Sequence, residues 1–95
     1  MRRIRESKRF TRDKRRIERS GRYAAAMDRR FKPAVSALVS GEQLDSSYYD
    51  YPLHGDFEGF RECHILFDLL LIYKYIGDDV LWLERLNTHS EALGL

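Results

Sequence analysis

The chain carries one cysteine, two prolines, one tryptophan and no long apolar run. Each scarcity excludes something. A lone Cys63 closes no internal disulfide, which fits a reducing compartment. Cys63 and His64 are adjacent, so on a strand they point to opposite faces, and no zinc site is expected. A membrane span needs about 20 consecutive apolar residues. The best run, Leu69 to Ile76, is far shorter and carries Lys74. Met1 to Glu6 lack the apolar stretch of a secretory signal, and Glu6, Asp13 and Glu18 count against a transit peptide. The expectation is a small soluble protein of the cytoplasm, with residues 1–95 forming a single domain.

What the chain has in excess is segregated charge. Residues 1–40 hold 14 Lys and Arg against 4 Asp and Glu, a net +10, while residues 41–95 hold 3 against 11, a net −8. The overall +2 hides this division. A solvated basic face is the bland explanation. So dense a positive charge repels itself, however, and points to a polyanion or an acidic partner.

The pattern of apolar residues places the elements. Ile4 within Arg2 to Glu6 reads as a short first strand. Ser7 is an N-cap for a helix from Lys8 to about Ser20, and Gly21 is its stop. Phe10 and Ile17, seven apart, give that helix a thin apolar stripe. Ala24, Met27, Phe31, Ala34, Val35 and Leu38 define a second helix from about Tyr23 to Val39, which Pro33 must kink or split. Glu42 to Glu58 is turn-rich yet carries Tyr48, Tyr49 and Tyr51. Phe60 to Ile65, Leu69 to Ile76 and Val80 to Asn87 read as strands, the last two joined by a Gly77-Asp78-Asp79 turn. In the last strand Val80, Trp82, Glu84 and Leu86 alternate with Leu81, Leu83, Arg85 and Asn87. This is an α+β order: a short strand, a basic helical hairpin, then an antiparallel meander and a short C-terminal segment.

Three histidines, His54, His64 and His89, lie in the acidic half. Histidine suits proton transfer near neutrality, with a reference pKa of about 6.5. Metal-free RNA cleavage by the ribose 2′-hydroxyl needs a base for the 2′-proton, an acid for the 5′-oxygen and a cation for the charged phosphorane. His64, His89 and Arg85 or Arg61 on one sheet face would supply all three. The plainer alternatives are a structural histidine, surface arginines, tyrosines that pack over the sheet and a buried, unreactive Cys63. Spacing alone supports a basic α+β domain that binds RNA or protein.

The string Tyr48-Tyr49-Asp50-Tyr51-Pro52-Leu53-His54-Gly55 narrows this when read with Phe60-Arg61-Glu62-Cys63-His64, Asp68, Leu71-Ile72-Tyr73-Lys74, Glu84-Arg85 and Thr88-His89-Ser90-Glu91. Together these motifs resemble the YafQ-like branch of the RelE/ParE superfamily, toxins of bacterial type II toxin–antitoxin pairs. The resemblance is dense from Tyr48 to Leu93, while residues 1–47 match in layout alone. It implies a small microbial-RNase-like α+β fold with a curved antiparallel sheet, and metal-independent cleavage of mRNA, often on the ribosome, with no metal or cofactor. It also implies a cognate antitoxin with a DNA-binding N-terminus and an acidic C-terminal segment, expected against the Lys8–Lys32 basic surface.

Carried over by residue, the resemblance assigns His64, Asp68, His89 and Glu62 to the active site. His89 would be the general acid, and His64 and Asp68 would position or activate the 2′-hydroxyl. Arg61 and Arg85 are candidate phosphate contacts, with Lys74 a weaker one. His54 is a further candidate that could swing in. Tyr51 stands where the family usually has histidine, and a phenol with a reference pKa near 10 is a poor base at neutral pH. Leu93 replaces a phenylalanine that often packs over the site and is a candidate RNA contact on which a base packs without aromatic stacking, and Leu66-Phe67 replaces a more turn-like pair. Two other readings are a ParE-like toxin acting by protein binding and a non-catalytic RNA- or ribosome-binding module. ParE-like relatives generally lack this histidine set.

Overall fold

A computed structural model describes residues 1–88 of the chain. Strand β1 (Arg3–Glu6) leads into helix α1 (Lys8–Ser20). The Ser7 Oγ accepts the Phe10 backbone N–H at 2.9 Å and donates its own proton to the Glu84 carbonyl at 2.6 Å. One side chain thus caps the helix and ties it to the sheet. Gly21, at φ +68°, ends α1 in the left-handed conformation that glycine adopts without steric cost. The buried stripe of α1 is Phe10, Asp13 and Ile17, and the rest of its surface is largely basic.

Pro33 does split the second helix. Helix α2 (Ala24–Ala26) passes into a π-helical turn, Met27–Phe31, before helix α3 (Lys32–Val39). Proline has no N–H to give, and its ring crowds the carbonyl four residues back. The widened turn, in which the Lys32 N–H reaches Met27 O, lets the helix continue past it. Phe31 stacks on Phe10 with ring centroids 6.2 Å apart, joining the two arms of the hairpin.

The short strand β2 (Tyr51–Pro52) is followed by β3 (Arg61–Leu66), β4 (Leu69–Ile76) and β5 (Val80–Thr88). Sheet order is β1-β5-β4-β3-β2. The meander is antiparallel as expected, while β1 pairs in parallel with β5, so the sheet is mixed. One face packs on the helices: Cys63, Ile65, Leu69, Leu71, Tyr73, Leu81, Leu83 and Leu86 join Phe10, Ile17, Phe31, Ala34 and Leu38 in the core. Cys63 is fully buried there, and burial pushes its thiol pKa up, as befits an unreactive packing residue.

The simple alternation expected for β5 fails at one point. Leu83 pairs with Tyr73 and Arg85 with Ile72, which leaves Glu84 as an extra residue in a β-bulge. Beyond it the phase changes, so Leu86 rather than Arg85 enters the core. Arg85 and Asn87 instead pair with Ile72 and Leu70, the β4 positions whose other neighbours are Glu62 and His64. No helix among the described residues is long and apolar enough to cross a membrane.

Candidate active site

Strand alternation divides β3. Arg61, Cys63 and Ile65 turn toward the helices, and Glu62 and His64 turn to the other face. Tyr51 pairs with Glu62 and shares its face. Its hydroxyl donates to the buried Glu62 Oε1 at 2.5 Å. That hydrogen bond, then burial and the carboxylate's charge, push the phenol up to about 12. Tyr51 is therefore a neutral hydrogen-bonding group throughout the physiological range. The Tyr51 ring lies tilted over His64 with centroids 6.3 Å apart, and Tyr49 meets His64 edge-on at 5.8 Å.

Tyr49, Tyr51 and His64 line a cavity of about 800 Å³, whose walls also include Arg30, Asp50, Leu66 and Phe67. Arg30 was not singled out from sequence, because nothing in its basic neighbourhood distinguishes it. Its role is set by the open edge of β3. Strand β2 covers only Arg61 and Glu62, so the carbonyls further along need another donor. Arg30 supplies it: Nε donates to Ile65 O at 3.1 Å and Nη2 to His64 O at 3.4 Å, while Nη1 reaches Ser47 Oγ at 2.9 Å. Its guanidinium also lies 3.8 Å from the centroid of the buried Tyr48 ring. A second bulge falls here, because pairing with β4 jumps from His64 to Leu66. Arg30 thus holds the irregular backbone that carries His64, and it brings positive charge to the cavity wall.

The other sequence candidates are placed differently. Arg61 turns to the helix-facing side, where its Nε donates to Asp50 Oδ1 at 2.9 Å beside the Tyr73 hydroxyl, itself 2.5 Å from Asp50 Oδ2. Arg85 is held by the buried Asp13, with Nε to Oδ2 at 2.8 Å. Asp68 sits in the β3–β4 turn, accepts the Tyr23 hydroxyl at 3.4 Å and does not line the cavity. Lys74 places its ammonium 4.5 Å from the Phe60 ring centroid. His54 is exposed, with Nδ1 3.5 Å from a Glu58 carboxylate oxygen. The structure therefore brings together Tyr51, Glu62 and His64. His89 and Leu93 lie outside the described residues. Among the described residues, no three His, Cys, Asp or Glu side chains converge as a metal site.

A five-stranded mixed sheet backed by a basic helical hairpin, with a histidine, a tyrosine and a carboxylate on its outer face, defines a small RelE-like toxin fold. The comparisons agree. Residues 2–94 match the model of the family described as the bacterial toxin of type II toxin–antitoxin systems, YafQ, and the chain belongs to that family. The mRNA interferase toxin YafQ of Escherichia coli K12 is 32% identical over 82% of this chain and 95% of its own length. A YafQ relative from Haemophilus influenzae is 40% identical over 62 residues, and there the chain matches 61% of the relative's length. Crystalline YafQ from E. coli BL21(DE3) superposes with a TM-score of 0.84 at 27% identity, covering 99% of this chain and 100% of that one. YafQ in the E. coli DinJ–YafQ complex gives a TM-score of 0.80 at 28% identity, covering 96% and 97%.

Proposed function

We propose that this chain is the toxin of a type II pair and that it cleaves mRNA without a metal ion, by attack of a ribose 2′-hydroxyl on its own 3′-phosphate. The observation that carries this reading is the grouping of His64 and Tyr51 at one open cavity that Arg30 also lines, with Glu62 buried behind the Tyr51 hydroxyl, in a chain of the YafQ family. In the reaction His64 takes the 2′-proton, the new 2′-O–P bond forms and the P–O5′ bond breaks. The family resemblance gives His89 the task of protonating the departing 5′-oxygen. The products are a 2′,3′-cyclic phosphate and a 5′-hydroxyl.

Tyr51 has a different task. With its proton committed to Glu62 and its pKa about 12, it donates hydrogen bonds and offers a ring face, leaving the base role to His64. A test follows. The wild-type pH–rate profile carries no limb from Tyr51 below about pH 10, near a free phenol's pKa. Tyr51→His introduces a group titrating near 6.5 beside His64 and Glu62. It should add a limb near neutrality and raise single-turnover cleavage at pH 7 about tenfold, the low side of general-base effects. An unchanged rate and profile would show that this position takes no part in proton transfer.

Regulation rests on charge. The basic outer surface of α1 is partly neutralised by Glu18 on Lys14, 3.4 Å apart, and by Asp13 on Arg16, 3.5 Å apart. Much of it remains for an acidic antitoxin segment, and the DinJ–YafQ complex shows that YafQ is held by a partner chain. Ribosomal RNA is the other polyanion that this surface suits. Induction of this chain alone in a bacterium should stop growth and create new mRNA 5′ ends, and co-expression of its cognate antitoxin should reverse both. Growth arrest with intact mRNA and inhibited gyrase supercoiling would instead establish a ParE-like action.

A further inference from the structure

Among the described residues, Tyr49 is the only non-glycine residue with positive φ, at +47°. A bulky side chain in that conformation is strained. The surroundings enforce it. Asp45 caps the short 3₁₀ turn Ser46–Tyr48 by accepting the Ser47 N–H at 2.9 Å, and the Tyr49 N–H closes the turn on Ser46 O at 3.1 Å. The preceding Tyr48 is buried with its hydroxyl on Arg30 O at 2.8 Å, and Arg30 grips Ser47 O at 3.2 Å. The strain does not serve core packing, because Tyr49 is 69% exposed. It sends the ring out over the cavity, edge-on to His64.

Phe67 lines the same cavity from the β3–β4 turn and is 94% exposed. An isolated exposed aromatic is ordinary. Two on the walls of one cavity, with Leu66 and Tyr51 also exposed there, form an unpaid apolar surface around the residue assigned the base role.

We propose that Tyr49 and Phe67 form a nucleobase clamp, which stacks the base of the nucleotide beside the scissile phosphate and so presents its 2′-hydroxyl to His64. The inference rests on the nuclease reading for the identity of its ligand. Several features favour a base over an apolar peptide. Tyr49, Tyr51 and Phe67 bring three aromatic rings to the lining, and such rings accept any base, while His64 and Tyr51 line the same cavity, where ribose and phosphate must lie. Arg30 brings a guanidinium to the wall, which suits a phosphodiester, while the Asp50 carboxylate that also lines it is engaged by Arg61 and the Tyr73 hydroxyl. Stacking of this kind tolerates every base, so the clamp fixes position and discriminates weakly among sequences.

The test uses an uncleavable 2′-O-methyl oligoribonucleotide and a set of the same strand with one abasic site at each position in turn. Wild-type protein should lose about tenfold in affinity at one position, the scale of base–aromatic stacking. Tyr49→Ala and Phe67→Ala should each lose a similar factor on the intact strand and little more at that abasic position. Tyr49→Phe should keep wild-type affinity. Tyr49→Gly should raise the melting temperature, because glycine relieves the positive φ, while still losing affinity. Abasic losses that are the same in wild type and the alanine variants would overturn the clamp. So would variants that bind RNA normally but release the antitoxin, which would give the patch to a protein partner. Because the strand is uncleavable, coupling in a protein that cuts nothing would refute the nuclease reading and leave the clamp standing. Cleavage without coupling would refute the clamp alone.

Discussion

His64→Ala is expected to lower the single-turnover rate of mRNA cleavage by about 10²–10⁴-fold, the usual contribution of one positioned proton-transfer group. His64 sits on the outer sheet face with Tyr49 and Tyr51 against its ring, and its side chain is not part of the helix-facing core. Its loss should therefore leave the melting temperature close to wild type. The strand around it is held by its backbone instead, through Arg30 on the carbonyls of His64 and Ile65. His64→Gln keeps a hydrogen-bonding side chain but has no imidazole to take up a proton, so it should be nearly as inactive as alanine. Full activity in His64→Ala would remove His64 from the chemistry.

Asp13→Ala should produce the largest loss of stability, about 3–5 kcal/mol, the range for removing one partner of a buried ion pair. Asp13 is 3% exposed. Its Oδ2 accepts Arg85 Nε at 2.8 Å and the Leu86 backbone N–H at 3.0 Å, and its Oδ1 lies 3.3 Å from Arg85 Nη2. Strand β1 stops opposite Leu83, so the carboxylate serves β5 just where its neighbouring strand ends. Removing it takes the acceptor from a buried N–H and the carboxylate from Arg85 at once. Asp13→Asn keeps an acceptor for Leu86 and should lose less. In urea the midpoint should fall with the slope unchanged. A loss under about 1 kcal/mol would place this pair among weak surface interactions.

The two examples show what was legible in the chain and what was not. Helix α1 could be read residue by residue, because Ser7, Gly21 and the Phe10–Ile17 spacing are local signals. The meander was legible for the same reason, from apolar and aromatic runs and a Gly-Asp-Asp turn. The parallel pairing of β1 with β5 was not, because it joins residues nearly eighty apart and no turn marks it. The bulges at Glu84 and after His64 leave no periodic trace, yet one moves Arg85 out of the core phase and the other shapes the backbone around His64. Asp13 did leave a trace: it lies three residues after Phe10 and four before Ile17, on the apolar stripe, where a carboxylate must find partners. Tyr49 was visible as an aromatic in a turn-rich segment, but its outward aim depends on Arg30, Asp45 and the Tyr48 anchor.

The same contrast explains the site. Family motifs drew attention to Tyr51, Glu62 and His64, and the register of β2 and β3 gives them a common face. Arg61 sits between motif positions but one residue out of phase, so alternation turns it toward Asp50 and Tyr73. Arg85 is engaged by Asp13, a contact with a carboxylate 72 positions away. Arg61 and Arg85 do not line the cavity that Arg30 lines. These two arginines, close to the family motifs in sequence, each hold a carboxylate, and Arg30 reaches the cavity from the π-helical turn.

The most direct measurement of the central claim is the chemistry of the cut ends, mapped on defined mRNA translated in a reconstituted system. The ribosomes keep their magnesium throughout, and the ends are read after a single turnover. Metal-free attack by the 2′-hydroxyl predicts 2′,3′-cyclic phosphate and 5′-hydroxyl ends. Ends that carry a 3′-hydroxyl and a 5′-phosphate would contradict it.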